Sequence, residues 1–266
     1  MNQRIKEYWE ERAKKYSNTP AATTEDIHLR ELEVSTITRT FSELRVSSNG
    51  RVLDIGCGDG YSTLKVAQAM PSYSFLGIDY SEGMIANARK RLDAQPELKD
   101  RVSFIVGDVT QLESVCGNSV YDVVTSDRCL INLETFDMQA HAIASIAKHI
   151  RPGGYYIAIE NFIEGHDNMN KARHAVGLAE IPVRWHNLYF REQEFVAAAT
   201  HFFDGISFKD FSSSYYFATR VIYSAMCQMR KEELDYNHEI HQLAPHLPWT
   251  GAFSPIRMAV MRRKLT

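Results

Sequence analysis

The sequence predicts an α/β fold with a doubly wound, largely parallel sheet, and three features carry that expectation. From residue 51 to residue 159, short apolar runs alternate with helix-length stretches, the pattern of strands joined by crossover helices. The first run passes straight into a glycine-rich turn, Ile55-Gly56-Cys57-Gly58-Asp59-Gly60. The next two runs each close on an acid, Asp79 and Asp108, at strand ends where a sheet of this kind gathers its ligand.

In chain order, residues 3–16 read as a charged helix carrying Tyr8, Trp9 and Tyr16. A break follows over residues 17–24, with Pro20. Thr24 is expected to cap a second helix reaching Phe41 or Leu44. Ser47-Ser48-Asn49-Gly50 is a turn cluster. Strands are then expected at 51–55, 74–78, 102–106, 120–125 and 155–159. Helices are expected at 61–70, at 81–92 with Ser81 as cap, and at 134–150, the last closed by Arg151-Pro152-Gly153-Gly154. Beyond Ile159 the pattern loosens. Residues 162–188 form a long polar and aromatic stretch, 191–200 and 215–234 look helical, and 206–211 reads as a sixth strand. Residues 235–250 read as an irregular loop rich in histidine and proline, and 253–263 alternate well enough for a last strand. The whole, 1–266, is read as one domain. An N-terminal helical lid covers 1–45, a cofactor-binding core 51–160, and substrate-cap inserts 161–190 and 212–252.

Composition narrows the class. Hydrophobic residues make up 44% and charged residues 24%, values ordinary for a globular domain. A net charge of -3 argues against nucleic acid as the main partner, because such proteins usually show a basic face. The clusters Arg89-Lys90-Arg91 and Arg262-Arg263-Lys264 read as a solvated helix face and a polar chain end. Cys57, Cys116, Cys129 and Cys227 show no C-x-x-C spacing, so neither a zinc nor a redox motif is indicated. The first sixteen residues lack the apolar run of a signal peptide, and no stretch approaches the ~20 apolar residues of a membrane span. The expected location is the cytoplasm. A homodimer is compatible with the sequence.

The glycine turn is the strongest chemical signal. Its spacing is G-x-G-x-G, whereas a dinucleotide site reads G-x-G-x-x-G/A, and Tyr61 stands where the third small residue would be. Asp54 and Asp59 flank the turn. Acids there would repel a pyrophosphate and attract a ligand with a cationic centre and an ammonium group; S-adenosylmethionine has both. Asp79, ~20 residues past the turn, is placed to accept ribose hydroxyls. Asp108 can accept from an adenine amino group while Val109 donates its backbone N–H to a ring nitrogen.

Together VLDIGCGDG, GIDYSEGM, GDV and RPGG resemble motifs of the class I S-adenosylmethionine-dependent methyltransferases, over about residues 51–159. The resemblance implies a Rossmann-like, seven-stranded sheet whose last strand is antiparallel. It also implies S-adenosylmethionine as cofactor. Asp54, Gly56, Gly58 and Gly60 would surround its methionine end, with Cys57 in the same turn. Asp79 would hold the ribose, Tyr80 and Met84 would flank the adenine, and Asp108 would read it. Tyr16 and Asp127 complete the expected cofactor-binding set.

The acceptor side is expected past the fourth and fifth strands, in 126–133 and in Glu160, Asn161 and 181–190. The dense polar and aromatic residues of 181–190 suit a small polyhydroxylated acceptor such as a sugar; they also suit a packed cap with Trp185 and Tyr189 as core. Transfer to oxygen is preferred, with N- or C-methylation of a metabolite, or a non-catalytic cofactor-binding module, as alternatives. His186 is the first candidate for general base, since an imidazole titrates near neutrality; Asp127 and Glu160 follow, and His166 and His174 are weaker. Arg173 or Arg128 can hold a phosphate or carboxylate. No metal is expected, although Asp127, Glu160 and Asn161 offer three oxygens suited to Mg²⁺. His238, His241 and His246 read as part of a solvated loop.

Overall fold

The computed structural model describes residues 2–17, 19–44, 46 and 49–265. Ser47 and Ser48 of the expected turn, and Asn18 of the expected break, lie outside them. Seven strands form one sheet: β1 (Arg51–Ile55), β2 (Ser74–Asp79), β3 (Val102–Val106), β4 (Tyr121–Asp127), β5 (Ile150–Asn161), β6 (Phe203–Lys209) and β7 (Ile256–Arg263). Their order is 3-2-1-4-5-7-6. β1 to β5 pair in parallel, and β7 runs antiparallel to both neighbours. The order reverses between β1 and β4, which opens a crevice at their carboxyl ends.

Successive side chains on a strand point to opposite faces, and the core divides accordingly. Val52, Val123 and Ile157 pack on one face with Leu29, Phe41 and Phe104. Leu53, Val124 and Ala158 pack on the other with Ile143, Phe162 and Phe195. The helices over these faces are α1 (Gln3–Lys15), α2 (Ile27–Glu43), α3 (Tyr61–Ala69), α4 (Glu82–Asp93), α5 (Leu112–Cys116), α6 (Phe136–Lys148), α7 (Ile163–Ala175), α8 (Glu192–Ala199), α9 (Ser213–Tyr216), α10 (Ser224–Arg230) and α11 (Ile240–Leu243).

Caps explain several boundaries. Ser81 Oγ accepts from Met84 N at 3.0 Å, as expected from the sequence, and Thr135 Oγ1 from Met138 N at 3.2 Å. The second cap differs from expectation: Asp26, not Thr24, starts α2 by accepting from Leu29 N at 3.1 Å, while Thr24 Oγ1 accepts from Asp26 N. A carboxylate is the stronger acceptor for orphan helix N–H groups. The Pro152-Gly153-Gly154 segment is not a turn before β5 but lies within it. Tyr121 pairs with Ile150, and the register shifts before Val123 pairs with Tyr155. Gly153, at φ +77°, absorbs the irregularity.

The region after β5 holds the larger surprises. Residues 163–175 form a helix that polar composition conceals. Residues 215–234, expected as one helix, divide into α9, a π-helical segment (Phe217–Tyr223) and α10, which ends at Lys231 in the left-handed conformation. α7 presses against the chain before β7 at Gly165, where a Cβ would stand 1.8 Å from the Ser254 carbonyl oxygen. Gly165→Ala should therefore force α7 off its seat and lower stability by about 1–3 kcal/mol or more, the range for overpacking. Chemical denaturation reads this directly; an unchanged midpoint would show that the two segments separate freely.

Candidate functional site

The turn after β1 is built from backbone that only glycine adopts easily. Gly56, Gly58 and Gly60 have φ of +69°, +54° and +73°. Gly56 N and Cys57 N both donate to Ile78 O, at 2.9 and 3.0 Å, which ties the turn to β2. A Cβ on Gly56 would meet Cys129 Sγ at 2.5 Å, so the turn and the chain after β4 touch across the crevice.

Two buried carboxylates flank this turn. Asp54 accepts from Thr63 Oγ1 on α3 and from Thr125 Oγ1 on β4, the latter at 2.7 Å. Asp79 accepts from Gly58 N at 3.0 Å and Ser81 N at 2.9 Å. Burial pushes the pKa of each up to about 6, against the pull of those hydrogen bonds. Asp59 behaves otherwise. Arg30 and Arg91 pair with it at 2.6 and 3.0 Å, and it does not line the crevice. Its charge is neutralised within the protein, so Asp59 does not provide the electrostatic attraction expected of an acid beside the turn.

The crevice deepens into a cavity of about 450 Å³. On its β1–β2 side Asp54, Gly56, Cys57 and Gly58 line the wall, joined by Asp79, Tyr80 and Met84. Four expected contacts lie elsewhere. Gly60 packs against Ala88 and Phe104. Tyr16 donates to Glu25 at 2.6 Å. Asp108 accepts from Thr110 N and Oγ1, both at 2.8 Å, in starting a short 3₁₀ turn, and Val109 is buried in the core. The Tyr80 hydroxyl is buried without a hydrogen-bond partner. Helix α1 lies across the opening: Trp9 Nε1 donates to Asn132 Oδ1 at 3.2 Å, and Glu10 accepts from Gly83 N at 3.1 Å.

On the β4–β5 side, Asp127 and Asn161 line the cavity and Glu160 does not. Glu160 is fully buried, accepting from Ser126 Oγ at 2.8 Å and from the N–H groups of Leu130 and Ile131 at 3.1 and 3.4 Å. Burial still drives its pKa up to about 7. Its role here is to pin the chain after β4, and alternation along β5 explains why Asn161 and not Glu160 reaches the cavity. Asp127 sits beside Arg128 Nε at 3.5 Å, and Arg128 reaches Glu33 of α2 at 3.0 Å. Arg128 has φ +52°, an uncommon conformation for a bulky residue. Burial raises the pKa of Asp127, and pushes that of Glu33 up to about 8 despite Arg128.

His186 also lines the cavity, but it is only 6% exposed and sits among the rings of Tyr8, Trp9 and Trp185. Burial, assisted by the charges of Arg184 and Arg12, pushes its pKa down to about 4. His166 and Arg173 line the cavity from α7; His174 does not. Among the described residues no group of three or more His, Cys, Asp or Glu is placed to hold a metal ion. His241 instead shares a 2.8 Å hydrogen bond with the Tyr215 hydroxyl. Glu33, Arg30, Tyr216 and Arg220 were missed from the sequence. For Arg30 and Glu33 the one available signal is the spacing of charged residues along α2, which reads equally as a solvated face.

Residues 52–154 match the family model described as a methyltransferase domain. Over 131 residues the chain is 29% identical to the malonyl-[acyl-carrier protein] O-methyltransferase of Priestia megaterium, covering 48% of this chain and 44% of that one. It is 31% identical over 110 residues to the demethylmenaquinone methyltransferase of Symbiobacterium thermophilum, covering 41% of each. The similarity thus spans less than half the length of these two relatives. Among solved structures, magnesium protoporphyrin IX methyltransferase from Synechocystis PCC 6803, with bound SAH, superposes with a TM-score of 0.62 at 15% identity, covering 98% of each chain. Residues 52–154 are thus similar to a methyltransferase domain, and the chain shares the fold of that solved structure.

The surroundings of His186 make a measurable forecast. Its ring should stay neutral down to a midpoint near pH 4. Unfolded, it would protonate near 6.5, so its burial should lower stability as pH falls from about 6.5 towards 4. NMR titration of the ring carbons reads the midpoint; one near 6.5 would show a solvated ring.

Proposed function

We propose that this protein binds S-adenosylmethionine and transfers its methyl group to an oxygen of a small-molecule acceptor, with hydroxyl groups of a polyhydroxylated compound preferred. The observation that supports this best is the continuity of one cavity. It runs from the glycine turn, Asp54 and Asp79 to Asp127, Asn161 and Tyr189. The residues on the β1–β2 side suit the cofactor. Glycines leave room that side chains would fill: a Cβ on Gly58 would meet Thr23 Cγ2 at 2.7 Å. The buried, unpartnered Tyr80 hydroxyl awaits a polar atom.

When bound, the sulfonium supplies a methyl group already activated for in-line displacement. Asp54 balances charge at the methionine end, Asp79 accepts from the ribose, and Tyr80 and Met84 flank the adenine. Asp108 and Val109, although off the cavity wall in the empty protein, stand at the end of β3 where the base would come to rest. On the far side the protein's work is to hold the acceptor oxygen close and aligned. A hydroxyl must also lose its proton. Asp127 is the better-placed base, because burial lifts its pKa from the usual carboxylate value. His186, kept neutral by its aromatic surroundings, orients the acceptor. Trp9, Tyr8 and α1 exclude water from the reacting centre.

Cofactor affinity should depend on pH in a defined direction. Burial lifts the pKa of Asp54 and Asp79 to about 6, and the ionised forms are the ones that accept from ribose and ammonium groups. Affinity for S-adenosylhomocysteine (SAH) should weaken as pH falls through about 6, with protons released on binding near that pH. In the free protein the sign is opposite. Folded carboxyls with raised pKa hold more protons than unfolded ones, so their contribution to stability is lost as pH rises from about 4 through 6. Calorimetry in buffers of differing ionisation enthalpy measures both effects. A flat profile from pH 5 to 8, or tight NAD binding with none for SAH, would overturn the reading.

Two substitutions divide the roles. Asp79→Ala should weaken SAH binding by about 1.5–3 kcal/mol, the scale of charge-assisted hydrogen bonds. Asp127→Asn should lower kcat by about 10²–10⁴ for a hydroxyl acceptor while SAH affinity stays close to wild type. An unchanged kcat would favour an acceptor that carries its own lone pair, such as an amine.

A further inference from the structure

The far end of the cavity carries more positive charge than its own carboxylates balance. Helix α7 presents His166, Met169 and Arg173 to the cavity, at the three- and four-residue spacing of one helical face. Arg220 reaches the same wall from the π-helical segment, and π-turns of this kind recur at functional sites. The two residues are neighbours: Arg173 Nη1 donates to the Arg220 backbone carbonyl, and the Arg220 charge acts on Arg173.

Among the described residues one carboxylate serves this pair. Asp26 accepts from Arg220 Nη2, and it is further engaged by the Tyr215 hydroxyl and by Leu29 N. Among the described residues Arg173 donates to backbone alone, at Ala179 O (2.8 Å) and Arg220 O. Burial and the neighbouring Arg220 charge both push the Arg173 pKa down, so the surroundings add no compensating acid. Aromatic rings close the space: the Arg220 guanidinium carbon lies 5.4 and 5.2 Å from the Tyr216 and Tyr236 rings, and both tyrosines line the cavity. With water partly excluded, an unbalanced charge acts strongly on a ligand. Arg184 lines the same cavity, where its charge acts on Glu25.

We propose that Arg173, with Arg220 beside it, binds an anionic group on the acceptor, either a carboxylate or a phosphate. The planar guanidinium matches both by paired N–H donors. This assignment rests on the methyl-transfer reading for the identity of the molecule as acceptor; the anion site itself rests on the charge and geometry of α7 and the π segment. The acceptor is then an acid or a phosphorylated compound, anchored at one end while the atom to be methylated lies beside Asp127.

The test compares three ligands of similar shape, benzoate, phenyl phosphate and benzamide, titrated calorimetrically into the full chain, free and saturated with SAH. At least one anion should bind about tenfold or more tightly than benzamide. Preference for benzoate alone assigns a carboxylate, and preference for phenyl phosphate alone a phosphate. Arg173→Gln should abolish the preference and Arg173→Lys should keep part of it, both with wild-type SAH affinity. Equal binding of all three ligands, no binding of either anion up to about 10 mM, or a preference that survives Arg173→Gln would overturn the proposal. The wild-type comparison needs no variant, so a folding defect leaves the test intact. Loss of SAH binding in the wild type would count against methyl transfer instead, and the free-protein titrations would still decide the anion site.

Discussion

Asp26, Arg30 and Glu33 stand four and three residues apart at the start of α2, and each is paired with a different element. Asp26 binds Arg220 of the π segment, Arg30 binds Asp59 of the glycine turn, and Glu33 binds Arg128 after β4. All three α2 groups are at most 3% exposed. Burying an ion pair costs desolvation that its own attraction often fails to exceed, whereas removing one partner leaves a stranded charge at about 3–5 kcal/mol. These pairs are therefore better understood as constraints on position than as sources of stability. They fix the glycine turn, the chain after β4 and the π segment to one helix face, and the cavity takes its shape from that arrangement.

Within that frame, Asp54 joins the sheet to the turn. Its two oxygens accept from α3 and from β4, across the point where strand order reverses. Asp79 does the same between the turn and α4, through Gly58 N and Ser81 N. Both carboxyls carry raised pKa values because they are dry, and both have lone pairs to spare for a polar ligand. On the opposite wall the balance differs: Arg173, Arg184 and Arg220 line it with Glu25 and Asp26.

Much of this was legible before any coordinates. The apolar runs and glycine turn of 51–159 specify local structure through short-range physics: strand period, left-handed glycines and a serine cap at Ser81. Parallel strands then bring Asp54, Asp79 and Asp127 to one edge whatever else the chain does. Asn161, at the end of β5, and His186, beyond it, line the same cavity. What the sequence alone left wrong is equally physical. Asp59 reads as a cofactor-facing acid until its two arginines, 29 and 32 residues away, are seen to neutralise it. Glu160 reads as a cavity acid until strand alternation turns it inward to Ser126.

The sequence by itself determined the sheet, the turn and the acids at its strand ends, because each depends on a few adjacent residues. Only the tertiary structure decided which charges remain unbalanced. Glu33, Arg173 and Arg220 lie in helices whose periodicity is weak or interrupted by a π segment, and their partners are far away in sequence. A pKa depends on every charge and every layer of protein around the group, so His186 falls to about 4 and Glu33 rises to about 8 for reasons that no local pattern contains. The chemistry of the cofactor end is written along the chain, whereas that of the acceptor end exists only once the chain has folded.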